Sequence, residues 1–200
     1  MPSESDRIIG LYQRHARAWA RERGDRLFET AWLDRFRGLL PEDATVLDIG
    51  CGSGKPLARA LTERGCKITG IDASPEMIAM CRADFPYADW HVADMRELAL
   101  PRSFDGILAW DSFFHLSFDD QRKMFPIFRV HAAERAAVMF TSGPSHGEAM
   151  GEFHGEPLYH ASLDPAEYRA LLAENGFGVV ACIVEDPECG GHTIWLAQRV

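Results

Sequence analysis

The chain has little that would mark it as secreted, membrane-spanning or nucleic-acid-binding. Its five cysteines, Cys51, Cys66, Cys81, Cys182 and Cys189, are odd in number, scattered and free of any Cys-x-x-Cys pair. That pattern excludes a disulfide framework and a zinc ribbon, and predicts reduced thiols. No apolar run approaches the ~20 residues needed to cross a bilayer, and Met1-Pro2-Ser3-Glu4-Ser5-Asp6 lacks the basic-then-apolar pattern of a leader. Basic runs are missing too: 21 Lys+Arg face 30 Asp+Glu, a net charge of -9. A dedicated DNA or RNA binder needs a basic footprint that this chain does not have. These absences predict a cytoplasmic protein with neither a membrane nor a nucleic acid as partner. Internal repeats and low-complexity tracts are also missing.

What is present is a globular composition of 200 residues, 46% hydrophobic and 26% charged, enough for one domain over 1–200 with a buried core. Apolar spacing predicts helices over about Asp6–Arg23 and Leu27–Leu39, a helical cap or lid spanning residues 1–43. From residue 44 strands and helices alternate. Strands are expected at Thr45–Ile49, Lys67–Ile71, Asp89–Ala93, Phe104–Trp110 and Ala136–Thr141, and helices at Pro56–Arg64, Pro75–Ala83 and Phe118–His131. Alternation of this kind builds a mostly parallel sheet with helices on both faces, a three-layer α/β sandwich of Rossmann-like type. After the helix Pro165–Asn175, two strand-like runs, Phe177–Val184 and Thr193–Gln198, are separated by too few residues for a helical crossover, so they pair antiparallel. The sheet is thus expected to have seven strands, the last one antiparallel. Residues 142–163, rich in Gly, Pro and His, read as one long irregular loop, a candidate substrate loop.

The stretch Val46-Leu47-Asp48-Ile49-Gly50-Cys51-Gly52-Ser53-Gly54 is a buried strand running into a glycine turn. Glycine lets the backbone turn tightly and come close to a ligand, and a turn of this kind at the end of a parallel strand binds nucleotides. The dinucleotide pattern Gly-x-Gly-x-x-Gly is missing, because the third glycine comes one position early. A phosphate-cradling Gly-Lys-Ser/Thr is missing as well, since Gly54-Lys55 precedes Pro56. None of the four tyrosines is followed by Lys in the Tyr-x-x-x-Lys spacing of a nicotinamide reductase.

The acidic strand end with Gly-x-Gly-x-Gly resembles motif I of the class I S-adenosylmethionine (SAM)-dependent methyltransferases, and the resemblance extends from about Thr45 to the C-terminus. The antiparallel ending of the sheet is also theirs. The resemblance implies SAM as cofactor and S-adenosylhomocysteine as product. It places Gly50, Cys51 and Gly52 along the methionine and ribose portions, with Cys51 as a passive lining residue. Asp48 then orders the turn, often through water to the amino acid end, or is simply a buried structural carboxylate. Asp72, about twenty positions past the turn and followed by Ala73, is the expected ribose ligand; a turn-forming carboxylate is the bland reading. Asp94 and the next backbone N–H, of Met95, are expected at the adenine, unless Asp94 only caps its turn. Met77 packs on the adenine face or belongs to the core. Tyr12 in the first helix resembles a lid residue of small family members, whereas Trp19 reads as packing.

The fourth strand ends in Trp110-Asp111-Ser112-Phe113-Phe114-His115. This segment lacks the Asn/Asp-Pro-Pro-Tyr/Phe signature of base-modifying enzymes and is similar to small-molecule methyltransferases, in which the backbone carbonyl at the strand end, here Trp110, meets the SAM ammonium. His115 is the candidate base, because imidazole titrates near neutrality, or else a structural histidine. Asp111 caps the following turn or attracts a cationic acceptor. His146, His154, His160 and His192 have no standard metal-ligand spacing, so no metal is expected and a polar substrate pocket is. The chain therefore reads as a SAM-dependent methyltransferase acting on O or N of a small molecule, a monomer or homodimer, with a non-catalytic SAM-binding module as the alternative.

Overall fold

The computed structural model describes residues 3–200; Met1 and Pro2, the first residues of the expected cap, lie outside them. Among the described residues are six α-helices and nine β-strands. The chain enters through α1 (Glu4–Arg23) and α2 (Thr30–Gly38). Ser3 starts α1 with a capping box, its Oγ accepting from the Asp6 N–H while the Asp6 carboxylate accepts from the Ser3 N–H. Then follow β1 (Thr45–Ile49), α3 (Leu57–Glu63), β2 (Lys67–Asp72), α4 (Pro75–Asp84), β3 (Asp89–Val92), β4 (Phe104–Ala109), α5 (Phe118–His131) and β5 (Ala132–Ser142). Ser74 caps α4 through the Met77 N–H, with Pro75 in its first turn.

The expected loop over 142–163 is corrected by the structure. It is a two-stranded antiparallel hairpin, β6 (Gly147–Phe153) and β7 (Glu156–Ser162), registered from Gly147↔Ser162 to Phe153↔Glu156. Its reversal is at His154-Gly155, where φ is +51° and +80°, a left-handed pair that turns a hairpin tightly. The exposed β6 face gave no apolar alternation for the sequence to show. The chain ends with α6 (Pro165–Glu174), β8 (Phe177–Asp186) and β9 (His192–Arg199).

The main sheet has the order β3-β2-β1-β4-β5-β9-β8. Neighbours from β3 to β5 are parallel, and β9 runs antiparallel to both β5 and β8. Period-two alternation feeds both faces. In β5 and β9, Met139, Ile194 and Leu196 join one layer with Trp32 and Phe36 of α2 and Leu61 of α3. Val138, Phe140 and Trp195 join the other with Phe125 and Phe128 of α5 and Tyr168 of α6. The strand order reverses between β1 and β4, and a crevice beyond the carboxyl ends of the strands opens there in sheets of this kind.

The second layer depends on aromatic stacking. Phe140 and Trp195 are fully buried, their rings 5.9 Å apart and 6° from parallel. Phe140→Ala is expected to cost about 3–5 kcal/mol, read as a lowered denaturant midpoint, and a loss under 1 kcal/mol would show that this layer closes around the gap.

Candidate functional site

A cleft of about 780 Å³ lies over the β1/β4 crevice. Its floor is built from the segments after four parallel strands: Gly50 and Gly52, Asp72 to Met77, Ala93 to Arg96, and Asp111 to Leu116. Helix α1 roofs it with Ile8, Ile9, Tyr12 and Trp19.

The glycine turn is held from below. Gly50 and Cys51 donate their N–H groups to the Ile71 carbonyl at 2.8 and 3.0 Å. Gly52 N–H donates to Asp72 Oδ2 at 3.0 Å, and Ser74 N–H to Asp72 Oδ1 at 2.8 Å. Both Gly50 and Gly52 have left-handed φ, +73° and +54°. A Cβ on Gly50 would fall 2.3 Å from Ser112 Cβ, and one on Gly52 would meet the Trp19 ring at 2.8 Å. Only glycine fits both the conformation and the space.

Of the residues singled out from the sequence, Tyr12, Gly50, Gly52, Asp72, Ala73, Met77, Asp94, Met95, Asp111 and His115 line the cleft together. Asp48, Cys51 and Trp110 do not. Asp48 is buried beneath the turn, and desolvation, reinforced by the Asp72 charge, pushes its carboxyl up to about 7. The Cys51 thiol, expected to line the site, faces the Gly70 backbone, where a Cβ would lie 3.0 Å from its sulfur; a side chain on the residue between two left-handed glycines is turned into the protein. The Trp110 ring is buried away from the cleft against His192, 5.5 Å between centroids.

Sequence reasoning missed Trp19, whose ring closes over Gly52, and Ser112, which donates to the Ile49 carbonyl at 2.7 Å. It also missed Arg96. This guanidinium engages Asp94 at 2.7 Å and Asp6 of α1 at 2.7 Å, with Asp120 of α5 3.6 Å away. The Arg96 hydrogen bond, then those from Ser3, hold the Asp6 carboxyl down at about 2. Asp94 thus has its expected cap, accepting from the Arg96 N–H at 2.9 Å, while it lines the cleft. No local pattern signals such a bridge, because its carboxylates come from three separate segments. The β6–β7 hairpin secures the other end of α1: Glu156 meets Arg14 and His15 at 3.1 and 2.7 Å, and His154 meets Glu22 at 2.9 Å.

His115 differs from a histidine that titrates near neutrality. Its Nδ1 lies 2.8 Å from the Tyr159 carbonyl and its Nε2 3.0 Å from the Tyr12 hydroxyl. A carbonyl only accepts, so Nδ1 carries the proton and Nε2 accepts from Tyr12. Burial drives the imidazole down to about 4, leaving it neutral at pH 7 with both nitrogens engaged. His160 packs on it at 4.8 Å and is lowered by burial as well. His192, at the tip between β8 and β9, reaches the cleft end of the sheet: Nε2 is 2.9 Å from Asp111 Oδ1 and Nδ1 2.7 Å from the Cys189 carbonyl. The Asp111 contact raises its affinity for a proton. A second groove of about 770 Å³ runs between the hairpin and the end of β5, lined by Phe114, His146, Glu148 and His160 among others. Among the described residues, no group of three His, Cys, Asp or Glu is disposed to hold a metal ion, and no helix is long and apolar enough to cross a membrane.

Residues 46–133 match the family model described as a methyltransferase domain. The chain is 32% identical over 166 residues to the 27-O-demethylrifamycin SV methyltransferase of Amycolatopsis mediterranei, covering 78% of this chain and 56% of that protein. It is 30% identical over 134 residues to a dTDP-4-amino-2,3,4,6-tetradeoxy-D-glucose N,N-dimethyltransferase of Saccharopolyspora spinosa, covering 66% and 51%. The chain spans about half the length of the curated relatives it matches. In fold it is similar to the 1,6-didemethyltoxoflavin-N1-methyltransferase of Burkholderia thailandensis, with a TM-score of 0.77 at 17% identity over all of this chain and 92% of that one. Residues 46–133 thus carry a methyltransferase domain, and the chain has the fold of the class I SAM-dependent methyltransferases.

The features of the cleft fit that family's cofactor. The turn leaves room only for a backbone without side chains. Each Asp72 oxygen has accepted one N–H, and a carboxylate has about four lone-pair sites, so acceptor capacity remains for a ribose diol. Asp72 and Asp111 place carboxyl groups at two sides of the cleft, suited to a cationic ligand.

Asp48 gives a test that needs no ligand. The native state holds its proton up to about pH 7, whereas an unfolded Asp loses it near 3.9. The native state therefore binds more protons across that window, and this group's contribution falls as pH rises through it. Asp48→Asn should stabilise the ligand-free protein at pH 8 relative to wild type, and the gain should vanish toward pH 4. Equal gains at both pH values in thermal unfolding would show that Asp48 is ionised throughout.

Proposed function

We propose that this domain binds SAM in the cleft and transfers its methyl group to a nitrogen or oxygen of a small molecule. The observation that carries this reading is the turn at Gly50 and Gly52, packed against Ser112 and Trp19 and clasped by Asp72 at the β1/β4 crevice. Asp72 would hold the ribose diol, Met77 and Met95 the adenine faces, with Asp94 beside the exocyclic amine. Gly50 and Gly52 would lie along the methionine portion, with Asp48 supporting them from behind and the Trp110 carbonyl near the ammonium. When bound, SAM supplies a methyl on a positively charged sulfur that leaves as a neutral thioether.

The chain's own residues then do three things. Helix α1, acting as the lid while α2 packs on the sheet, excludes water, which strengthens every electrostatic contact inside. Phe114, His115 and His160 form the wall between cleft and hairpin groove, the route we assign to the acceptor. The floor aligns the two partners in line, and such positioning supplies much of the rate where little proton chemistry is needed. His115 serves as the fixed partner of Tyr12, since its nitrogens are both engaged. The curated relatives include one named for an O-demethylated rifamycin and one for an amino sugar nucleotide, which supports a small-molecule acceptor. Five free cysteines and the acidic balance support a cytoplasmic protein without a nucleic acid partner.

Calorimetric titration with S-adenosylhomocysteine, with NADH as control, tests the cofactor. Micromolar binding of the former alone is expected, and Asp72→Ala should weaken it by about 1–3 kcal/mol, as for a lost charge-assisted hydrogen bond. Binding of NADH instead, or unchanged affinity in the Asp72 variant, would remove this assignment.

A further inference from the structure

At the far end of the cleft from Asp94 the hydrogen-bonding capacity is one-sided. Tyr12 gives its proton to His115 Nε2, because the other ring nitrogen is committed to the Tyr159 carbonyl. Its oxygen therefore has only lone pairs left to offer the cleft it lines. Asp111, which also lines the cleft, has as a carboxylate nothing but acceptor sites. It sits at φ +49°, a conformation a non-glycine residue seldom adopts and one that clusters at functional sites. Its N–H is anchored to Thr141 Oγ1 at 2.9 Å. The charge of Asp111 acts on Tyr12, His115, His160 and His192 alike, so it stands where the cleft, the hairpin and the β8–β9 tip meet.

The carboxylate is also incompletely satisfied. His192 Nε2 approaches Oδ1 at 2.9 Å without the alignment of a good hydrogen bond, and Oδ1 is buried against it, so Oδ2 is the oxygen with capacity left for the cleft that Asp111 lines. Among the described residues, the buried side-chain polar atoms without a partner are Asp111 Oδ1, Trp110 Nε1 and Glu29 Oε2. They belong to one neighbourhood: Trp110 precedes Asp111, the Trp110 ring packs on His192, and the Asp111 charge acts on Glu29. Buried polar groups are otherwise paired; of these three residues Asp111 alone lines the cleft, so its remaining acceptor capacity is what a polar ligand there can meet.

We propose that Tyr12 Oη and Asp111 Oδ2 receive the two N–H bonds of a primary amine on the methyl acceptor, in its uncharged form. This rests on the methyl-transfer reading above and names the acceptor class for it. Two acceptors hold two N–H bonds and leave the nitrogen lone pair free to face the methyl group. A hydroxyl has one proton and would leave one acceptor unanswered, its own lone pairs set against the other. A phenolate or carboxylate would be repelled by Asp111, and His115 has no free nitrogen to deprotonate a phenol. In the step itself the nitrogen lone pair forms the N–C bond while the carbon–sulfur bond breaks and its electron pair stays on sulfur. Positive charge passes from sulfur to nitrogen, beside the Asp111 carboxylate, and the surplus N–H proton is lost to solvent as the methylated amine leaves. His115 and His192 are positioning residues, which act through Tyr12 and Asp111.

The test needs no knowledge of the acceptor. Sinefungin is a SAM analogue in which a carbon bearing a primary amine replaces the methylated sulfur, so it presents N–H bonds at the reaction centre. S-adenosylhomocysteine, SAM and sinefungin are titrated calorimetrically into wild type, Tyr12→Phe and Asp111→Asn. The comparison of sinefungin with SAM isolates the N–H bonds, since both are cations. Sinefungin should bind wild type about tenfold more tightly than SAM. Both variants should bring the two ligands near parity while S-adenosylhomocysteine affinity, which reports an intact fold and cofactor site, stays within about threefold. Parity in wild type, or a preference that survives both substitutions, overturns the assignment while leaving SAM binding in place. Failure of all three ligands to bind wild type overturns the cofactor reading and this one with it.

Discussion

The site depends on one carboxylate held between two backbone amides. Asp72 ends β2, accepts from Gly52 on one oxygen and from Ser74 on the other, and so ties the turn after β1 to the start of α4. A turn made of left-handed glycines has many accessible conformations, and its ordering entropy must be met by contacts. Here those contacts are short, local to two neighbouring parallel strands, and desolvated. Burial raises the Asp72 carboxyl above its ordinary value, and the Ser74 and Gly52 N–H groups offset part of that rise, so the same bonds that fix the turn lessen the cost of burying the acid. Everything above the turn is then placed by it. Ser112 fits where Gly50 has no side chain, and Trp19 fits where Gly52 has none.

The roof is held by charge at its rim and, at its centre, by a small apolar cluster in which Ile8 and Tyr12 of α1 pack with Tyr159 and Ala161 of the hairpin. Arg96 draws together carboxylates from α1, from its own turn and from α5, and Glu156 and His154 on the hairpin meet the other end of α1. Exposed ion pairs each contribute little, and the apolar cluster beneath α1 is far smaller than the two layers that cover the sheet. The hairpin takes part in both. A β-ribbon bridges from the end of β5 back to α1, and its Tyr159 carbonyl sets the tautomer of His115. Burial then removes that histidine from proton chemistry at neutral pH and turns it into a support for Tyr12.

Much of the fold was legible in the sequence because its signals are local. The strand runs at Thr45–Ile49 and Lys67–Asp72, the cap at Ser74-Pro75 and the glycines that follow α3 and α6 are written within a few residues. The α/β order and the antiparallel finish follow from connection lengths alone. The Ser142–Leu163 segment was not legible as a hairpin, since an exposed ribbon has no apolar face to alternate and its register is set by partners rather than by pattern. In the site, the glycines and the acids at strand ends could be named because strand ends are where such sheets bind ligands. Trp19 looked like a packing residue of an amphipathic helix, and so it is, but the surface it packs on is the glycine turn.

By itself, then, the sequence determined the kind of domain, the turn that binds and the strand ends that surround it, because backbone geometry there is dictated within the turn itself. Only the tertiary structure decided what each polar group can do. Cys51 faces inward because its neighbours are left-handed; His115 is neutral because burial and a carbonyl from β7 leave it no other state; Asp111 is short of partners because three distant segments meet around it without satisfying it. Protonation and hydrogen-bond direction are properties of an environment assembled from far along the chain, and no spacing within a motif encodes them.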